Sequence, residues 1–102
     1  MVRIHGQWCG PNWTAGQVKE AKDATKADRK VGCIDKLDCA CKQHDLDIAD
    51  SGSPSFASDT RLMKEAMKII ANPLYAWTNP TMYAKAFLIR DSMSLVRWTR
   101  GR

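Results

Sequence analysis

The chain of 102 residues has no uninterrupted apolar run approaching the roughly 18 residues needed to span a bilayer, which excludes a transmembrane helix. It opens without the apolar core of a signal peptide. Met1-Val2-Arg3-Ile4-His5-Gly6 runs straight into a Gly/Pro-rich loop, so the expectation is that an export signal was removed or never existed, or that the chain is a domain excised from something larger. No Cys-x-x-Cys knuckle is present either. Cys33, Cys39, Cys41 and His44 are close in sequence, but on a helix Cys39 and Cys41 would point about 200° apart, which argues against zinc. Four cysteines are few for a disulfide scaffold and many for a short intracellular chain, and they read either as bridged or as four buried thiols. Acidic residues are the minority, 11 against 16 Lys+Arg, and the net charge of +5 would draw the protein to acidic lipid surfaces or nucleic acid. No base-reading motif or aromatic interleaving accompanies the basic residues, so nucleic acid is not expected as a partner.

What is present is one domain's worth of helical patterning, 1–102, enough for a modest core. Leu37, Cys41, His44 and Ile48 recur at i, i+4, i+7 and i+11 and predict a helix over 34–50, opened by Cys33-Ile34-Asp35 and stopped by Asp50-Ser51-Gly52-Ser53-Pro54. A second helix is expected over 58–72, capped by Ser58, with Leu62, Met63, Ala66, Met67, Ile69 and Ile70 on its apolar face and Asp59 at its outset on that face. A third is expected over 80–98, with Asn79 as cap and Pro80 in the first turn. Residues 15–32 offer only the thin stripe Val18, Ala21, Ala24 and Ala27, and read as a surface helix or an ordered loop. Leu74, Tyr75, Trp77, Trp98 and Trp13 read as core or rim, with an apolar collar at a lipid interface as the alternative. The basic tail begins at Arg97.

Two stretches carry chemistry. His44 on the inward stripe is placed as a base, and Asp45, about 100° further round, is free to face a cation or a loop. Upstream, Trp8-Cys9-Gly10-Pro11-Asn12-Trp13 describes an irregular loop with carbonyls able to turn inward, and carbonyls plus one carboxylate are calcium-type ligands. Together, Trp-Cys-Gly-Pro-Asn before Leu-Asp-x-x-Cys-x-x-His-Asp resembles the calcium-dependent phospholipase A2 superfamily, which includes secreted enzymes and domains of parvovirus capsids and some bacterial proteins. The likeness covers roughly residues 5 to 14 and 33 to 63.

The resemblance implies a small all-α fold in which two antiparallel helices carry an N-terminal calcium loop at 8–14 and a third helix packs behind. It implies hydrolysis of the sn-2 ester of glycerophospholipids, with His44 as general base, Asp59 as its orienting carboxylate and the Gly10 amide as an oxyanion contact. Calcium would be held by Asp45 and the carbonyls of Trp8, Gly10 and Asn12. A Cys9–Cys41 bridge follows by the same likeness, which supplies no partner for Cys33 or Cys39. The implied partner is a phospholipid surface, and the setting is secreted or virion-delivered, where calcium is abundant. From the residues alone, Asp59 could equally be a first-turn aspartate complementing the helix dipole, and Asp47 is a local rival for the histidine. Two positions depart from the family pattern. Ile48 stands where a tyrosine is common, leaving Tyr75 or Tyr83 to supply a hydroxyl, and Asn12 replaces a glycine, a mild change because asparagine tolerates left-handed backbone. Asn12-Trp13-Thr14 also reads as a glycosylation sequon, discounted because a sugar there would obstruct the loop. The competing class is a phospholipase-like module that binds membrane or protein without turnover.

Overall fold

The computed structural model describes residues 3–100, with side chains described as far as Val96. In order come a two-stranded hairpin, β1 (Trp13–Thr14) and β2 (Gln17–Val18), a 3-10 turn at Ala21–Asp23, and helices α1 (Lys26–Arg29), α2 (Lys36–Ser51), α3 (Phe56–Ile70), α4 (Tyr75–Thr78) and α5 (Pro80–Arg100). The described residues thus form an all-α domain apart from the small antiparallel hairpin. No described helix is long and apolar enough to cross a membrane.

Helix α2 begins two residues later than its sequence pattern suggests. Asp35, expected inside the opening of the helix, is instead its N-cap: the side chain accepts from the Asp38 N–H at 2.9 Å, closing a local bond that competes with earlier helical turns. Its end is the expected one, with Gly52 at φ 85° donating back to the Ile48 carbonyl at 2.7 Å. Helix α3 starts two residues early. Ser55 caps it by accepting from the Ser58 N–H, and the Ser58 hydroxyl in turn takes the Ser55 N–H, so Ser58 is the third helical residue of a capping box and not the cap. The four-residue link from Gly52 to Ser55 brings α3 back along α2 as an αα-hairpin. Helix α5 starts as expected, the Asn79 carboxamide accepting from the Met82 N–H at 3.2 Å with Pro80 in the first turn, and runs on to Arg100.

The core joins these elements. Leu37 and Cys41 of α2, Leu62, Ala66 and Ile69 of α3, and Met82, Ala86 and Ile89 of α5 meet Trp8, Cys9 and Ala15 from the N-terminal segment. Met67, expected on the apolar face of α3, is 48% exposed because the buried stripe runs 62, 66, 69. Residues 15–32 are not one helix: Val18 is 65% exposed, and without a stripe to bury the segment breaks into short pieces. It is held instead by Asp28, buried by the Thr25 capping box of α1 and bonded to Lys19 and Gln17, with the lysine holding the carboxyl at about pKa 2. Leu74 and Trp77 are not core residues either, since the single-turn α4 leaves them 66% and 87% exposed. Trp98 and the tail from Arg97 lie outside the described side chains.

Candidate active site

The N-terminal loop is fastened to the first turn of α2 by one buried carboxylate. Asp38, fully buried, accepts from the backbone N–H groups of Gln7 at 3.1 Å, Trp8 at 2.8 Å and Ile34 at 3.0 Å. Gly6 lies so close to it, at φ 60°, that a Cβ there would sit 2.4 Å from the Asp38 carboxyl carbon. Beside this clamp, the buried His5 ring bonds Asp35 through Nε2 at 2.6 Å. A disulfide from Cys9 to Cys41 then ties the loop to the middle of α2, and Cys33 pairs with Cys39. All four cysteines are therefore bridged, which removes both the thiol reading and zinc.

Residues 10 to 13 make a tight turn, the Gly10 carbonyl accepting from the Trp13 N–H at 3.3 Å, with Pro11 fixing one φ and Asn12 at φ 55°. The left-handed conformation at Asn12 is the one asparagine tolerates, so the departure from glycine is accommodated. The Asn12 carbonyl accepts from the Lys19 N–H at 3.1 Å. Each of these two carbonyls keeps a second lone pair.

Helix α2 presents His44 to α3. His44 Nε2 lies 2.7 Å from Asp59 Oδ1, and the fully buried Asp59 carboxylate stands in the first turn of α3, so it meets the ring and complements the helix dipole at once. Its rival Asp47 is engaged elsewhere, accepting from Arg61 at 2.8 Å and Gln43 at 3.0 Å. The other ring nitrogen, Nδ1, is 3.8 Å from Asp45 Oδ1. Burial disfavours the imidazolium, but the Asp45 and Asp59 carboxylates outweigh it and raise the pKa of His44. The hydroxyls proposed to substitute for a tyrosine at Ile48 are turned elsewhere: Tyr83 donates to the Ile70 carbonyl at 3.3 Å, and Tyr75 packs against the Lys36 ammonium.

Asp45 is 8% exposed, and burial pushes its carboxyl up to about 6 despite the nearby imidazole. Its Oδ2 is buried without a hydrogen-bond partner. A buried carboxylate oxygen with an unsatisfied lone pair is what a cation would complete. Trp8, Gly10, Asn12, His44 and Asp45 all line one cavity of about 600 Å³, whose remaining wall includes Ile4, Ile48, Leu62, Ile89, Met93 and Val96. Backbone carbonyls and a carboxylate are oxygen donors of the kind a hard ion such as calcium takes; Glu20 is a second carboxylate on the cavity wall, and among the described residues no group of three or more His, Cys, Asp or Glu that could hold a metal gathers. Comparison with known protein families, curated proteins and solved structures found no match to this chain.

The buried charge has a measurable cost. A carboxyl whose folded pKa is about 6 and whose reference value is 3.8 holds its proton more tightly when folded, so its ionisation destabilises the fold: the penalty is absent below about pH 4 and fully present above about pH 6. At pH 7 in chelator, Asp45→Asn should therefore stabilise the protein, by up to about 3 kcal/mol, and raise Tm by several degrees, with the gain vanishing near pH 4. Thermal unfolding of the two proteins at both pH values checks this, and an unchanged or lower Tm at pH 7 would show that Asp45 is satisfied in a way its geometry does not display.

Proposed function

We propose that this chain is a calcium-dependent phospholipase A2 that hydrolyses the sn-2 ester of glycerophospholipids. The observation that carries the reading is the His44 ring, 2.7 Å from Asp59, on the wall of a largely apolar cavity that Asp45 and the loop 8–12 also line. A catalytic imidazole, an oxygen-rich corner and an apolar chamber are the three things an acyl-ester hydrolase acting on lipid needs side by side.

With Nε2 held by Asp59, the neutral ring carries its proton on that nitrogen and offers the Nδ1 lone pair to the cavity. His44 removes a proton from water there as the water oxygen attacks the ester carbonyl, and Asp59 stabilises the imidazolium that forms. The imidazolium then returns the proton to the departing glycerol oxygen, leaving a fatty acid and a lysophospholipid. With every cysteine bridged, no thiolate is on hand, and water is the nucleophile. The Gly10 amide is the candidate donor to the developing oxyanion. Asp45 and the carbonyls of Trp8, Gly10 and Asn12 would hold calcium, which when bound supplies Lewis-acid polarisation of the ester carbonyl and attraction for the substrate phosphate. One carboxylate makes a weak site, with a Kd on the order of 10⁻⁴ to 10⁻³ M. Two disulfides suit an oxidising compartment, and such a Kd suits one rich in calcium, so action outside the cytosol, by secretion or delivery in a virion, belongs to the same proposal.

The second reading, a binding module without turnover, is favoured by Ile48 and by the turned-away tyrosines. One assay separates the two: phosphatidylcholine vesicles with different chains at sn-1 and sn-2, in millimolar calcium or in chelator. The enzyme releases the sn-2 acid in calcium alone. Vesicle binding without release would favour the module, and release from sn-1 or in chelator would reject the mechanism.

A further inference from the structure

A second hollow, of about 630 Å³, lies between α2 and α3, and its walls carry Lys36, Arg61, Lys64 and Lys68 against the carboxylates of Asp47 and Glu65. The two acids are already neutralised within the groove, Asp47 by Arg61 at 2.8 Å and Glu65 by Lys68 at 2.9 Å. Lys36 on α2 and Lys64 on α3 have no carboxylate within ion-pair distance among the described residues. Lys36 is further kept in place by the Tyr75 ring, 5.7 Å from its ammonium. The groove therefore carries four cations against two carboxylates, with Lys36 and Lys64 on facing helices outside the close ion pairs, and Gln43 and Ser58 in its walls add neutral hydrogen-bonding groups. One of the two disulfides, Cys33–Cys39, stiffens its edge, since Cys39 is part of the lining.

We infer that this groove is an anion site for a phosphate group, bridged by Lys36 and Lys64, and distinct in its charges from the cavity in which Asp45 and the N-terminal loop meet, with which it shares His44 and Leu62 as a common wall. A phosphate offers several charged oxygens and can accept from two ammonium groups at once. Such a site holds whether or not the chain hydrolyses lipid, because its anion contacts are lysines and it calls on neither calcium nor proton transfer by His44, which lines it. Its phosphate can come from solution or from an anionic lipid headgroup.

The test is binding in chelator, so that no hydrolysis intervenes, with two probes: inorganic phosphate, followed by backbone amide shifts, and vesicles of phosphatidylcholine with or without phosphatidylserine. Three proteins are compared: wild type, Lys36→Gln/Lys64→Gln, and Lys26→Gln/Lys30→Gln, which removes the same charge from α1 and the residue that caps its end, where both lysines are exposed. A bridged site predicts that the groove variant loses about tenfold or more in affinity for one probe while the α1 variant stays within about twofold of wild type. Selective loss of inorganic phosphate binding identifies a soluble phosphate, and selective loss of binding to serine-containing vesicles identifies a headgroup. Equal losses in the two variants would mean diffuse attraction by the net positive charge and would overturn the proposal, as would no binding by the wild type. All the substituted lysines are exposed, so folding is expected to survive. Should the double variant unfold, Lys64→Gln alone is read against Lys30→Gln.

Discussion

Replacing His44 by glutamine should lower sn-2 ester hydrolysis by about 10²- to 10⁴-fold while leaving the fold and calcium affinity intact. The size follows from what the ring does at its place. It is the one imidazole on the cavity wall, with Asp59 at 2.7 Å behind it, and the neighbouring carboxylate, Asp45, is taken up by calcium in the same reading. Glutamine keeps the polar character and approximate reach of the side chain but is not a base near neutral pH. Asp59→Asn gives a lesser defect, because the ring stays in place while its favoured tautomer and the compensation for the imidazolium are lost. Initial rates on phosphatidylcholine vesicles in saturating calcium measure both. Wild-type rates in His44→Gln would remove the histidine from the mechanism.

Asp38→Ala should be the most damaging substitution to stability outside the apolar core. Three backbone N–H groups converge on that carboxylate, and alanine would leave them to find water in a site where Asp38 itself has no exposure. At about 1 to 3 kcal/mol for each unsatisfied buried donor, with partial relief by water, the loss is expected to be at least about 3 kcal/mol. For a domain of this size that lowers Tm by more than about 10 °C. The Cys9–Cys41 bridge would still tether the loop, so the protein should fold at low temperature yet bind calcium more weakly, the loop having lost its register on α2. Asp38→Asn keeps an acceptor oxygen and should fall in between. A Tm within about 3 °C of wild type for Asp38→Ala would show that the N-terminal segment is held chiefly by its disulfide.

Why some of this was legible in the sequence and some was not has physical reasons. The inward stripe of Leu37, Cys41 and His44 is a property of helical spacing, and the first two are buried as that spacing requires. The pairings of His44 with Asp59 and of Cys9 with Cys41 came from resemblance, because contacts across 15 and 32 residues leave no local mark. Cys33–Cys39 was missed although the signal was there: Cys39 points away from Cys41 on the helix, towards the chain that enters it. The role of Asp38 was hidden because an aspartate in a first helical turn looks the same whether it faces solvent or gathers three backbone amides. Ser55 and Ser58 are chemically equivalent as caps, and the reciprocal bond that decided between them is tertiary in its effect though local in its atoms. The exposure of Leu74 and Trp77 could not be read from their hydrophobicity, since burial depends on what lies opposite.

The central claim is that the loop 8–12 and Asp45 form one cation site beside His44. A calcium titration of wild type and Asp45→Asn, followed residue by residue through backbone amide shifts, tests it most directly. The expected result is a saturable response of Trp8 to Trp13 and of Asp45, with a Kd on the order of 10⁻⁴ to 10⁻³ M, abolished by Asp45→Asn. A response confined to other parts of the chain, or one in the loop that survives Asp45→Asn, would contradict it.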